Sequence, residues 1–519
     1  MLLCAAGTSF LIMLDANIVA VALPSIARDL HGEFTDVEWV VSAYILPFAA
    51  LLMATGALAD RLGRRCILLW GLAIFSVASL LCGLAPTLAT LNAARALQAV
   101  GAALQLSAAL AVISHGFEPH ERARAYAVWG TVMGVAPTMG PLIGGLISTY
   151  LGWRWAFLVN VPIGMLLIGV ATTSIDESRD PDARNLDLAG ILLFGCGLSS
   201  IVWALIEANS AGWTSASTVR KVVIGTLLFG LFVVAEKMQR RPMVDLSIFR
   251  DRTVVGAAVA MLGYAGTAQV MMTILPLYLQ DTFGQSAALA GIAMIPFALP
   301  LLVCPMIGGK LASRVSGRTL LAIGLALVAL GNALTAGAVE VGLGYWAAAV
   351  GMFVMGSGAG LLNSETTKIQ ISTVPPARAG MASGIAATTR FVGIVVGLAV
   401  LGAVLAAVAE VNLRRLGTPI VGNQPLDWHA LGLRIVGGDA AGALAVVPDE
   451  VRSALAAVVH HSVGAGFGAS LAIGAAVALL SSIVSWLLIR AGDTRPAEPH
   501  DDSAPTGGAS TAEIAATAE

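Results

Sequence analysis

Fourteen apolar runs alternate with short polar stretches along the chain. They cover residues 2–23, 39–58, 66–84, 88–113, 125–147, 155–173 and 188–206, then 222–235, 253–279, 287–311, 320–338, 343–362, 379–409 and 462–489. A helix needs about 20 mostly apolar residues to cross a hydrocarbon core about 30 Å thick, and most of the runs meet that length. The run 222–235 is short and crosses only if Arg220, Lys221 and Lys237 snorkel from its ends. Composition agrees with the pattern. Of 519 residues, 57% are hydrophobic and only 12% charged, about half the charge of a soluble protein, and mean hydropathy is +0.85. The pattern predicts an all-α polytopic membrane protein. A net charge of −2 leaves no basic excess for binding nucleic acid. The five cysteines (Cys4, Cys66, Cys82, Cys196, Cys304) are odd in number and far apart, so buried, inert thiols are expected rather than a disulfide framework or a metal cluster.

Positive charge orients the spans. With the loop between spans 2 and 3 in the cytoplasm, 19 Lys/Arg lie inside, 8 outside, and two, Arg95 and Arg390, within spans. Both termini are then cytoplasmic, in a multi-pass protein of the cell membrane. The first run starts at Leu2 without a basic flank and is interrupted by Asp15, so it is not a cleavable signal peptide; the natural start is expected upstream. The tail 491–519 has a disordered composition. Residues 410–461 form a sizeable outer loop, with a helix start at Pro448 and Asp449 leading into span 14. The adjacent His460 and His461 have no third ligand near them, so no metal site is expected.

The two ends of the chain echo each other. Leu58-Ala59-Asp60-Arg61 recurs as Leu311-Ala312-Ser313-Arg314 at an offset of 253, and Pro119-x-x-Arg122-Ala123 as Pro375-x-x-Arg378-Ala379 at 256. Spans 1–6 and 9–14 are therefore expected to be duplicated six-helix bundles around a midplane cavity, as in many secondary transporters. The expected units are 1–174, an inserted pair of spans with its linkers over 175–252, and 253–490. Spans 7 and 8 have no counterpart in the repeat and are not expected to line the cavity.

The turn Gly56-Ala57-Leu58-Ala59-Asp60-Arg61-Leu62-Gly63-Arg64-Arg65 has glycines for close helix approach and a tight turn, and arginines able to grip anionic lipid headgroups. Read alone, it is either a gate or a basic loop that sets topology. As a pattern it resembles the signature loop of the major facilitator superfamily. Leu14-Asp15-Ala16-Asn17-Ile18-Val19-Ala20-Val21-Ala22-Leu23-Pro24 resembles the LDxTIVNVALP segment of that superfamily's fourteen-span drug:proton antiporters, the EmrB/QacA type. Arg95-Ala96-Leu97-Gln98-Ala99-Val100-Gly101 resembles RxxQGxG, and Gly140-Pro141-Leu142-Ile143-Gly144-Gly145 the antiporter motif. The segment Trp153–Pro162 is similar to the stretch before span 6 in the same family. Asn17, Ala20, Ala99 and Ala136 depart from the pattern, and the first two, expected to line the cavity, bear on substrate choice. The resemblance implies two six-helix bundles with two extra helices, and export of small lipophilic molecules driven by the proton gradient. It implies no cofactor, and as partners a small-molecule substrate, protons and membrane lipids, in a monomer. A permease or exporter for a specific endogenous metabolite is the alternative.

An ionisable side chain in hydrocarbon is costly to insert and calls for a function. Asp15 is the one acid well inside a span, at a depth similar to that of Arg95, roughly 12 Å from the outer boundary at a rise of about 1.5 Å per residue. The two form either a proton site or a static ion pair. Arg390, near the midplane, holds an anionic substrate or pairs with a carbonyl or an acid. Gln269 binds substrate or makes an interhelical bond, and Gln98 and Asn17 complete the cavity candidates. Gly140, Pro141, Gly144 and Gly145 are expected to form a bend and packing surface. The four lysines lie outside any phosphate-cradling loop, which excludes ATP-driven transport by this chain alone. All seven histidines fall outside the spans, which argues against an enzyme. Asp60 and Arg61 are expected to latch the cytoplasmic face closed. Asp60→Asn should cut transport while leaving membrane insertion intact; wild-type turnover by a well-expressed variant would remove the latch.

Overall fold

In the computed structural model a helix lies over each of the fourteen runs, because backbone N–H and C=O groups in hydrocarbon must be satisfied within their own segment. The structure describes residues 1–32, 34–117, 119–179, 187–239, 244, 246–312, 314–372, 379–421, 426–436, 444, 447, 449–490 and 492. The tail expected to be disordered therefore lies, apart from Gly492, outside the described residues. The helices are α1 (Leu2–Leu30), α2 (Phe34–Leu62), α3 (Arg64–Gly83), α4 (Leu88–Gly116), α5 (Pro119–Tyr150), α6 (Trp155–Leu158), α7 (Asn160–Ser174), α8 (Leu188–Ala211) and α9 (Ala216–Met238). They continue as α10 (Arg252–Tyr264), α11 (Met271–Phe283), α12 (Ala287–Ala293), α13 (Ile295–Leu311), α14 (Gly317–Glu340), α15 (Tyr345–Ser372), α16 (Ala379–Val421), α17 (Trp428–Val436) and α18 (Asp449–Leu488). Among the described residues, eleven helical stretches are long and apolar enough to cross a membrane, and the bent pair α12–α13 makes a twelfth. α2 and α5, 29 and 32 residues long, occupy the other two predicted positions.

The structure departs from the predicted runs in five places, each for a local reason. Helix α9 begins at Ala216, capped by the Ser215 hydroxyl, and so has 23 residues. Lys221 reaches back towards the helix start, donating to Glu207 of α8 and to Ser217, with its ammonium 5.1 Å from the Trp203 ring centroid. Span 9 is divided between α10 and α11 by a π-helical turn at Ala265–Gln269. Span 10 bends by 43° between α12 and α13, and the Tyr345 hydroxyl donates to the Ala293 carbonyl at the bend, 3.0 Å away. In the region 410–461 the helix start expected at Asp449 is where α18 begins, but the rest is more helical than the expected loop, with α16 continuing to Val421 and α17 over Trp428–Val436. Leu413, Gly417 and Val421 repeat every four residues as a buried stripe, the spacing of one helix face, and Trp428 packs on Gly417. Finally, Cys196 is exposed on the protein surface rather than buried, Cys66 and Cys304 are half-buried, and all five cysteines are free thiols.

The internal repeat is visible in the packing. In the first half α3 packs on α4 and α7, α2 on α4, and α1 on α5. The equivalent partners in the second half also meet: α14 with α15 and α18, α13 with α15, and α10 and the π turn with α16. Between halves, α5 meets α12 and α13, while α2 meets α16. Exchanging the halves carries span 5 onto span 13 and span 10 onto span 2, so these two contacts are one contact made twice. The inserted hairpin α8–α9 lies against α2 and α16 through α8, with Trp203 edge-on to Trp39 at 5.9 Å.

Both halves rely on glycine where helices approach most closely. A Cβ at Gly101 would lie 2.6 Å from the Phe75 backbone nitrogen on α3, and a Cβ at Gly331 would lie 2.3 Å from the Met355 nitrogen. Neither backbone can yield without moving its helix. Gly101→Ala should therefore destabilise the protein by about 1–3 kcal/mol through overpacking. Gly169, with open space around it, is the control: Gly169→Ala should leave the thermal denaturation midpoint in detergent unchanged while Gly101→Ala lowers it.

Candidate functional site

The Asp15 carboxylate lies at the centre of the first half, fully buried at 0% exposure. Its Oδ2 accepts a 2.6 Å hydrogen bond from Arg95 Nη1. Its Oδ1 accepts from Asn160 Nδ2 at 2.6 Å and from Gln98 Nε2 at 3.0 Å. Arg95, 1% exposed, also donates to Gln98 Oε1 at 2.6 Å and to the Val40 carbonyl at 3.1 Å. Gln98 donates to Ser79 Oγ at 2.8 Å. The guanidinium lies over the Tyr44 ring at 4.1 Å and 5.6 Å from the Phe157 ring. Five spans thus supply one closed polar cluster: α1, α2, α3, α4 and the α6–α7 pair.

Helix geometry explains who takes part. Arg95 and Gln98 are three residues apart on α4 and share a face. The segment Trp153–Pro162 is bound to α1 at both ends. Trp153 Nε1 and Arg154 Nη1 donate to Asp29 Oδ2 at 2.9 and 2.6 Å at the far end of α1, and Asn160 reaches Asp15 deeper in. Asn160, Ser79 and Tyr44 were not singled out from sequence. Asn160 lies inside a motif whose charged and aromatic members drew attention first. Ser79 and Tyr44 carried no signal, because neutral polar residues are ordinary in spans and their facing is invisible in one dimension.

A second cluster occupies the other half. Arg390 Nε donates to Gln269 Oε1 at 2.9 Å and its Nη2 to Asn363 Oδ1 at 2.8 Å; the Tyr264 hydroxyl donates to the same Asn363 oxygen at 3.1 Å. Gln269 closes the π-helical turn, a local widening that recurs at functional positions in helices. These side chains border a cleft with Ala268, Met272, Phe297, Leu301 and Ala359, and Pro137 of α5 reaches it from the first half. About 10 Å³ of it is free, room for about one water.

Asn17 does not join either cluster. Its amide donates to the Met13 carbonyl of its own helix at 2.7 Å, and its Cβ lies against Gly140. Gly140 and Gly144 bring α5 onto the α1 backbone at Asn17 and Ile18, and a Cβ at Gly145 would lie 2.3 Å from the Ala287 carbonyl of α12. A Cβ at Gly291 would meet the Pro141 carbonyl at the same distance. Gln280 Nε2 donates to the Val21 carbonyl at 3.1 Å, and Ala288 N to Thr149 Oγ1 at 2.9 Å. These contacts join the halves at the end opposite the α2–α3 loop.

At the loop end, Gly63 has φ +114°, a conformation L side chains rarely adopt. The Glu177 carboxylate, beyond α7, accepts from the Arg65 and Cys66 backbone N–H groups at 3.3 and 3.1 Å. A negative charge there complements the dipole of α3. Arg64 is buried and donates to Ser178 Oγ at 3.3 Å, and Arg65 Nη2 donates to the Thr172 carbonyl at 2.7 Å. These arginines bind protein groups rather than extending to lipid headgroups as expected, whereas Arg61 is exposed. Gly56 is not a close-approach point among the described residues, since a Cβ there meets no atom within 4 Å. The Asp60 side chain, and with it the expected latch, lies outside the described residues.

Removing one member of a buried pair leaves the other charge stranded, typically at about 3–5 kcal/mol. Asp15→Ala should lose that much stability, and Asp15→Asn less, because it keeps an acceptor for Gln98 and Asn160. Thermal denaturation of the purified variants checks the order; an Asp15→Ala midpoint equal to wild type would show that the pair contributes nothing.

Residues 5–398 match the model of the Major Facilitator Superfamily. The chain is 36% identical over 406 residues to the multidrug resistance protein Stp of Mycobacterium tuberculosis, covering 77% of this chain and 74% of that one. It is 30% identical over 519 residues to the tetracenomycin C resistance and export protein of Streptomyces glaucescens, covering 97% and 93%. Its fold is similar to the crystal structure of a bacterial homologue of the human lysosomal transporter Spinster, with a TM-score of 0.62 and 18% identity over 96% of this chain and 98% of that one. A match across most of the length, with relatives of this identity, places the chain in the Major Facilitator Superfamily, as a multi-pass membrane transporter of small molecules and not an enzyme.

Proposed function

We propose that the protein is a proton-coupled exporter of small lipophilic molecules, drugs or antibiotics, working by alternating access in the cell membrane with both termini in the cytoplasm. The observation that carries this reading is the Asp15 carboxylate, sealed at 0% exposure and held by three donors on its two oxygens. Drug resistance and export in the names of the relatives support the direction of transport. The proton gradient supplies the energy, and no cofactor is required.

Burial favours the neutral form of a carboxyl group, while an adjacent guanidinium and hydrogen bonds favour the charged form. When Asp15 takes a proton, Gln98 Oε1 and the Val40 carbonyl still accept from Arg95. The cycle follows. Facing outward, Asp15 gains a proton as exported substrate leaves; facing inward, it loses the proton as new substrate binds. Substrate shifts this equilibrium only by its difference in affinity for the two states. The signature loop, held to the end of α7 through Glu177, forms the cytoplasmic gate together with Asp60 and Arg61.

Asp15→Asn mimics the neutral acid. In proteoliposomes it should abolish uphill export driven by a pH gradient while leaving downhill exchange measurable. Full uphill transport by this variant would route the proton elsewhere. Right-side-out and inverted vesicles compared in the same assay separate export from uptake.

A further inference from the structure

The two polar clusters occupy related places in the repeat but differ in charge. Gln269 follows Asp15 by 254 positions (269 − 15), within the 253–256 offsets of the echoed motifs. In the first half an arginine meets a carboxylate at this position; in the second half Arg390 meets an amide. Both acceptors of Arg390, Gln269 Oε1 and Asn363 Oδ1, are neutral, and it makes no ion pair among the described residues. Glu365, two residues beyond Asn363, is paired with Lys368 at 3.5 Å. Asp15 and Arg95 pair with each other, whereas Arg390 has no counter-charge among the described residues.

The surroundings of that charge are aromatic and apolar. Tyr264 and Phe297 border the cleft with Met272 and Leu301, and the guanidinium lies 5.8 Å from the Tyr264 ring centroid. From the first half, Tyr44 stacks on Phe48 at 6.0 Å, and Phe48 meets Phe391, the neighbour of Arg390, edge-on at 4.5 Å. The buried Tyr44 hydroxyl has no hydrogen-bond partner among the described residues. Pro137 lines the same cleft from α5, so the space widens when the halves separate.

We propose that the substrates are planar aromatic acids, carried as anions with the ionised oxygen on Arg390 and the ring among Tyr264, Phe297, Met272 and Leu301. This rests on the transport reading for the central cavity and names its substrate class. An ionised oxygen completes the guanidinium with a charge-assisted hydrogen bond in a site of low polarity. A lipophilic cation meets like charge there.

The test compares 2-hydroxy-1,4-naphthoquinone, an enol ionised near neutral pH, with its neutral 2-methoxy analogue. Binding to the purified protein is followed by tryptophan fluorescence with no gradient present. The wild type should bind the acid at least about tenfold more tightly than the methoxy compound, the worth of one charge-assisted bond. Gln269→Glu keeps the acceptor for Arg390 Nε but supplies the missing counter-charge, and should collapse the ratio to about one; Arg390→Gln should do the same. Because binding is read with no gradient present, loss of uphill export in Asp15→Asn and loss of the acid preference in Gln269→Glu or Arg390→Gln are separate results. Equal affinities in the wild type, no saturable binding of the acid, or a ratio retained in Gln269→Glu would overturn the proposal.

Discussion

A carboxylate cannot remain charged among apolar helices unless its oxygens are occupied by donors, and Asp15 organises the first half of this protein around that requirement. Arg95, Gln98 and Asn160 converge on its two oxygens from α4 and α7, while Gln98 also donates to Ser79 and Arg95 to the Val40 carbonyl. Each supporting helix is fixed by close packing elsewhere. Gly101 presses α4 onto α3, Gly140 and Gly144 press α5 onto α1 beside Asn17 and Ile18, and Asp29 holds the Trp153–Arg154 turn. A buried network of this kind specifies one arrangement when every member is satisfied and penalises others.

The same packing leaves the junction between halves free to part. At the end opposite the signature loop, the halves touch through backbone and small residues: Gly145 on Ala287, Gly291 on Pro141, Gln280 on the Val21 carbonyl. Surfaces of this kind approach closely without interlocking long side chains, so separation breaks few side-chain contacts. Because the repeat makes the α5–α12 and α2–α16 contacts equivalent, rocking one half against the other loads both in the same way. The inserted hairpin meets both halves through α8, on α2 and on α16.

Much of this was legible in one dimension, and the boundary is physical. Asp15 and Arg95 stood out because charge in an apolar run is costly, and their matched depth followed from helical rise alone. Their partners were hidden, because Ser79, Asn160 and Asn363 are neutral and their roles depend on which face they occupy. The π-helical turn at Ala265–Gln269 has no sequence signature, although it places Gln269 against Arg390. Length and hydropathy marked where α16 enters and leaves hydrocarbon but not that it continues to Val421, since that extension is held by a stripe of Leu413, Gly417 and Val421 against protein rather than lipid. The arginines of the signature loop were assigned to headgroups from charge alone; burial and the Ser178 and Thr172 acceptors decided otherwise for Arg64 and Arg65.

The charge difference between the two clusters also bears on energetics. A lipophilic cation leaving as one proton enters moves no net charge, so only the pH gradient drives it. An anion leaving in the same one-for-one exchange moves two charges in the direction favoured by an inside-negative potential, about 2.3 kcal/mol for each per 100 mV. With the anionic substrates proposed above, the neutral Gln269 beside Arg390 would let the membrane potential add to the pH gradient in expelling them.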